Sequence, residues 1–224
     1  QQIEYRFHES PVCPVCGAKT EREKDTADIK CTSPNCPAQL ERHMINFVGR
    51  DAMDIKGFGA TYIMELVHLG YLKDIADIYD LKQHREELIE QGIIGKEKNT
   101  DKLLDAIEKS KQNEAFQLLT GFGIPNVGKA AAKTILKHFG SIEALMQADM
   151  ESLQQVADVG EVTALCIRNY FQDENNCKII ERLKEAGVNM EMAESGSEDG
   201  RFDGLTFVIT GTLPTMDRKA AAAL

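Results

Sequence analysis

Four cysteines within a span of 24 residues are the part of this chain best equipped for chemistry. Cys13-Pro-Val-Cys16-Gly17 and Cys31-Thr-Ser-Pro-Asn-Cys36-Pro37 form two thiol pairs, with two and four residues inside the pairs and 14 between them. Each pair can fold back as a knuckle that aims two sulfurs at one ion. The glycine after Cys16 tolerates a positive φ there, and Pro14 and Pro34 set the turns. Two knuckles complete a tetrahedral shell of four thiolates, the structural zinc type, closed to water and so without catalytic use. An iron–sulfur cluster, a disulfide pair and coincidence are the competing readings of these residues. His43 could substitute as a ligand, but it lies seven residues past Cys36 on a predicted helix, where a packing or surface role suits it better. Cys166 and Cys177 stand apart in a helical pattern and read as buried or half-buried free thiols.

A second chemistry lies in glycines that recur at intervals of about 30 to 36 residues. Ile55-Lys56-Gly57-Phe58-Gly59 precedes a helix from Ala60. Gln91-Gly92-Ile93-Ile94-Gly95-Lys96 precedes one through Ile107, Gly123-Ile124-Pro125-Asn126-Val127-Gly128-Lys129 one from Ala130, and Val156-Ala157-Asp158-Val159-Gly160 one from Val162. In such a hairpin the glycines let the backbone turn tightly and approach a ligand, while the amides opening the second helix have no partner within it. Those amides and the helix dipole make an anion site that a DNA phosphate can fill. The candidate contacts are Gly57, Gly59, Gly92, Gly95, Lys96, Gly123, Ile124, Gly128, Lys129, Val159 and Gly160. Any single copy could instead be an ordinary helix C-cap. Ala157 stands where a glycine is expected, and the glycines of the second copy are unusually spaced. Ile63, Leu66, Ile135 and Leu136 are expected in the core.

The elements that position these residues are mainly helical. Residues 1–12 read as a connector from an upstream domain, and 13–40 as the four-cysteine finger, whose folding energy a metal would supply. Residues 41–190 read as a helical domain, the acidic, glycine-bearing stretch 191–201 as a linker, and 202–224 as the opening strand and helix of an α/β domain. The start at Gln1 and the end at Leu224 read as cuts in a longer protein. A net charge of −10, with no segment net basic, excludes a broad positive surface. DNA would have to be held by backbone amides and a few placed cations, without base readout. No apolar run approaches the roughly 20 residues of a membrane span and no signal peptide is visible, so a cytoplasmic setting is expected.

Taken in order, CPVCG, CTSPNCPAQL, RDAMDIKGFG, LLDAIEKSK, GIPNVGKAAAK and FVITGTLP resemble the C-terminal half of the bacterial NAD-dependent DNA ligases over nearly the whole chain. The resemblance implies a zinc finger, a tandem helix-hairpin-helix domain and the truncated first strand of a BRCT domain. It implies a role in sealing nicks in duplex DNA during replication and repair, as a monomer in the bacterial cytoplasm at the nucleoid. NAD and a divalent metal would serve catalytic domains of the same protein. The family's lysine-x-aspartate-glycine string does not occur here, so no catalytic residue is assigned to this chain. A targeting module of a repair nuclease or helicase, and a protein-interaction scaffold, are the alternatives.

Overall fold

The computed structural model describes residues 12–22, 29–33 and 36–193, which fall within one compact unit. The connector up to residue 11, the linker beyond 193 and the proposed BRCT strand lie outside the described residues. A two-stranded antiparallel ribbon, β1 (Thr20–Arg22) and β2 (Ile29–Cys31), pairs Thr20 with Cys31 and Arg22 with Ile29. Helices follow: α1 (Pro37–Val48), α2 (Ala60–His68), α3 (Asp77–Asp80), a 3-10 turn (Leu81–His84), α4 (Arg85–Gln91), α5 (Glu97–Ser110), α6 (Ala115–Gly121) and α7 (Lys129–Phe139). The last four are α8 (Ile142–Met146), α9 (Met150–Gln154), α10 (Glu161–Gln172) and α11 (Glu174–Glu185).

The long helices bury one stripe each, as their apolar spacing dictates, whereas the short α6 is buried almost all round. Leu103, Leu104 and Ile107 face inward from α5, Ala132, Ile135 and Leu136 from α7, and Ala164, Ile167 and Phe171 from α10. Ile63 and Leu66 of α2 are likewise buried, so the residues expected in the core are there. Four helix pairs result: α1–α2, α4–α5, α6–α7 and α9–α10, here hairpins 1 to 4. Hairpins 1 and 3 are joined directly, because α1 packs on α6 as well as on α2. Gln117 and Asn113 donate side-chain hydrogen bonds to the Ala52 and Met53 carbonyls at 2.9 and 2.7 Å, fixing the loop between α1 and α2 to α6 and the residues just before it. Phe122, just past α6, stacks on Tyr170 of α10 with centroids 5.4 Å apart, which ties hairpin 3 to hairpin 4.

The end of the helical domain is sewn back onto it. Ile142 donates to the Met190 carbonyl and Met192 to the Gly140 carbonyl, both at 2.9 Å, so backbone pairing continues two residues past 190. Arg182 of α11 reaches Asp74 and Asp77 at 2.7 Å and Asp80 at 2.8 Å, bridging more than a hundred residues of sequence. Arg85 opens α4 with a bidentate bond to Asp101 of α5, closing hairpin 2 at 2.7 and 2.9 Å.

Candidate metal centre and nucleic-acid interface

The finger is built by local turns. Cys13 N–H donates to the Ala18 carbonyl at 2.7 Å and Gly17 N–H to the Cys13 carbonyl at 2.9 Å, with Gly17 at φ +72°, where a Cβ would be strained. Cys31 comes from the end of β2, and Cys36 is the N-cap of α1, followed by Pro37 in the first turn. The four sulfurs lie within 4.8 Å of one another, Cys13 to Cys36 at 3.8 Å and Cys16 to Cys31 at 3.4 Å. A tetrahedron with zinc–sulfur bonds of about 2.3 Å has edges of about 3.8 Å, whereas a disulfide needs about 2.05 Å. The donor set fits one zinc ion and not a pair of disulfides. Backbone amides of Cys16 and Val15 pull the Cys13 thiol down to about 7, an ionisable first sulfur. The Ser33 amide also favours a Cys31 thiolate, but desolvation and the other sulfurs outweigh it and push Cys31 up to about 12. That last proton leaves when a cation takes its place, so metal affinity weakens as pH falls. His43 stands outside the cluster, its Nε2 donating to the Gly121 carbonyl at 3.2 Å. Cys166 and Cys177 are free and half-buried.

Three of the hairpins share one turn. In Ile55–Gly59, Ile124–Gly128 and Val156–Gly160, residues one and four are buried and the other three exposed. The fourth residue donates to the carbonyl of the first at 3.3, 3.0 and 3.1 Å, and the third is left-handed: Gly57 at φ +83°, Asn126 at +65° and Asp158 at +64°. That is the type II pattern, for which Pro125 at the second position is well suited. Position 157 therefore needs no glycine, and the alanine there leaves the turn intact. Hairpin 2 is built differently: Gly92 at φ +67° caps α4, and Gly95 at +104° sits directly before Lys96, the N-cap of α5.

The fifth residues, Gly59, Gly128 and Gly160, have φ of −75°, −83° and −82°, and a Cβ on any of them would meet nothing within 4 Å. Nothing inside the fold demands glycine there. Three helices are capped by side chains, with Ser141, Asp149 and Asp173 accepting amides of α8, α9 and α11 at 3.0, 2.8 and 2.8 Å, whereas α1, α3, α4 and α6 are not. At the hairpins α2, α5, α7 and α10 have no side-chain cap among the described residues, so their opening amides remain available.

Charge separates the four. The first turns of α2 and α7 contain no acid, and Lys129 stands at the first position of α7. Lys129, Lys133 and Lys137 then follow one exposed face, about 6 Å apart along the axis. Hairpin 2 places Glu97, and hairpin 4 both Asp158 and Glu161, beside the amides that would receive an anion. Lys96 and Gly92 are exposed, whereas the side chains of Ile124 and Val159 are buried at 3% and 5% exposure, and the Val159 amide is spent in its own turn. Reading the sequence on the last glycine of each copy would have revealed the left-handed Asn126 and Asp158, since the buried residues then align.

Fold and site together define a four-cysteine zinc finger leading into a helix-hairpin-helix domain. Residues 12–38 match the NAD-dependent DNA ligase C4 zinc finger domain and 117–180 the helix-hairpin-helix motif. The chain is 48% identical over 214 residues to the DNA ligase of Clostridium kluyveri, covering 95% of this chain and 32% of that protein. The DNA ligases of Acetivibrio thermocellus and Trichlorobacter lovleyi are 42% and 41% identical over 97% and 99% of the chain, and over 33% and 32% of their own lengths. The chain belongs with the NAD-dependent DNA ligases, as their zinc-finger and helix-hairpin-helix region. It spans about a third of the length of the curated relatives it matches.

Proposed function

We propose that this chain clamps nicked duplex DNA for an NAD-dependent ligase by offering uncapped helix amides to backbone phosphates, chiefly at hairpins 1 and 3. The observation that carries the reading is the glycine at 59 and 128, at ordinary φ and in open space, where only an approaching external group gains from the missing side chain. A phosphate there receives hydrogen bonds and the favourable end of the dipole without a broad positive field, as a net charge of −10 requires. Lys129 adds a charge at the same point, and Lys133 and Lys137 extend it along α7. Gly57 and Gly123 shape the approaches, while hairpins 2 and 4, with Gly92, Gly95, Lys96 and Gly160, offer weaker sites because their own carboxylates compete.

The four cysteines, Cys13, Cys16, Cys31 and Cys36, would hold a zinc ion that fixes the finger's shape and takes no part in reaction. Adenylate transfer from NAD, with its divalent metal, is assigned to other domains of the same protein, whose access to the nick this clamp would secure. Incubated alone with labelled NAD, the 224-residue chain should take up no adenylate, and an AMP adduct on it would contradict that division of labour. Gly128→Leu lowers affinity for nicked duplex with circular dichroism near wild type. Unchanged affinity would remove hairpin 3 from the interface.

A further inference from the structure

Helix α1 runs from the sulfur cluster to the mouth of hairpin 3. The carbonyl of Cys36 accepts the Gln39 and Leu40 amides at 3.0 and 3.1 Å, and the Gln39 side chain donates to the Cys31 carbonyl at 2.6 Å. The metal-ligating residues thus set where α1 begins. Two turns along, half-buried His43 meets α6. Its Nε2–H donates to the carbonyl of Gly121, the last residue of α6, at 3.2 Å. Its Cδ2 and Nε2 lie 3.6 and 3.7 Å from where a Cβ on Gly123 would stand, and Gly123, at φ +68°, leads into the Ile124–Gly128 turn. Burial holds the imidazole below its ordinary pKa against the pull of the Gly121 and Phe122 carbonyls, which keeps the ring neutral and the Nε2–H in place near neutral pH.

We propose that His43 is a positioning residue through which the zinc finger sets hairpin 3: the imidazole fixes the exit of α6, and so the direction in which the amides opening α7 face a phosphate. The proposal rests on the phosphate reading of hairpin 3. It explains why a polar residue is placed at a helix–helix junction that an apolar one could fill.

The test measures binding of a labelled nicked duplex to the intact protein across a salt series. His43→Ala weakens binding on the order of fivefold and makes the salt dependence shallower by about one phosphate, with zinc content and helicity unchanged. His43→Gln, which keeps a donor at similar reach, restores most of the loss. His43→Phe, which keeps the bulk without the donor, does not, and it serves where the alanine variant unfolds. Because both changes act on one contact, His43→Ala adds little to Gly128→Leu, yet adds in full to Gly59→Leu in hairpin 1. Chelation weakens the His43→Ala protein less than the wild type. Wild-type affinity and slope in both His43→Ala and His43→Phe, or full additivity with Gly128→Leu, would overturn the proposal. If Gly128→Leu weakens binding and the His43 variants do not, only the role of His43 fails. If Gly128→Leu is itself without effect, the phosphate reading of hairpin 3 fails first.

Discussion

Two glycines two residues apart do opposite things in hairpin 1. Gly57 is required by the backbone, at φ +83°, whereas Gly59 is required by nothing inside the chain. Gly57→Leu therefore costs about 1–2 kcal/mol of stability, the penalty of a left-handed side chain, measured by urea unfolding. Gly59→Leu costs less than that, and its effect falls on duplex affinity. A destabilised Gly59→Leu protein with unaltered binding would reverse these roles. Titration offers a second residue-scale test. Arg85, hydrogen-bonded to Asp101, holds that carboxyl below its ordinary 3.8, so the ion pair contributes fully above that value and is lost as pH falls through the lower folded value. Asp149, capping α9, is lowered first by the Ser152 amide and behaves the same way. Acid-induced loosening at α5 and α9, followed by amide exchange, should begin only below about pH 4 and be absent at α5 in Asp101→Asn.

At the scale of elements, the contact between α1 and α6 leaves no room for change. A Cβ on Gly121 would stand 2.7 Å from Cδ2 of Phe47, a residue itself fully buried, so Gly121→Ala forces the two helices apart. We expect a loss of about 1–3 kcal/mol, read from the denaturation midpoint. Stability equal to wild type would mean the helices slide apart freely. This constraint was not legible in the sequence, because a glycine ending a helix looks the same whether it caps the helix or admits a neighbour. The cysteine spacing, by contrast, announced the metal site, since four thiols in two knuckles have few other uses. The hairpins were legible as repeats but not in register: the left-handed position moves between glycine, asparagine and aspartate, so counting glycines made Ala157 look like a defect. The carboxylates beside hairpins 2 and 4 were in plain view, and their meaning emerged only once each helix start was fixed.

At the scale of the molecule, hairpins 1 and 3 form one piece through α1 and α6, while α11 returns to clasp α3 through Arg182 and three aspartates. These pairs are part-exposed, so solvent screening limits them: Arg182→Leu should cost about 1 kcal/mol, visible as a lower melting temperature. The loss should shrink in high salt, and an equal loss at every salt concentration would assign the residue a packing role instead. Chelation should release the finger, raising amide exchange at the start of α1 while α10 and α11 stay protected. The central claim is that DNA is held by open amides at glycine helix starts, and Gly59→Ser/Gly128→Ser tests it most directly. A serine at each position can cap the helix, as Ser141 does for α8, so stability is kept or slightly raised while the amides are occupied. The account predicts weaker binding to nicked duplex, with a salt dependence shallower by about two phosphates. Wild-type affinity and slope in that stable double variant would contradict it.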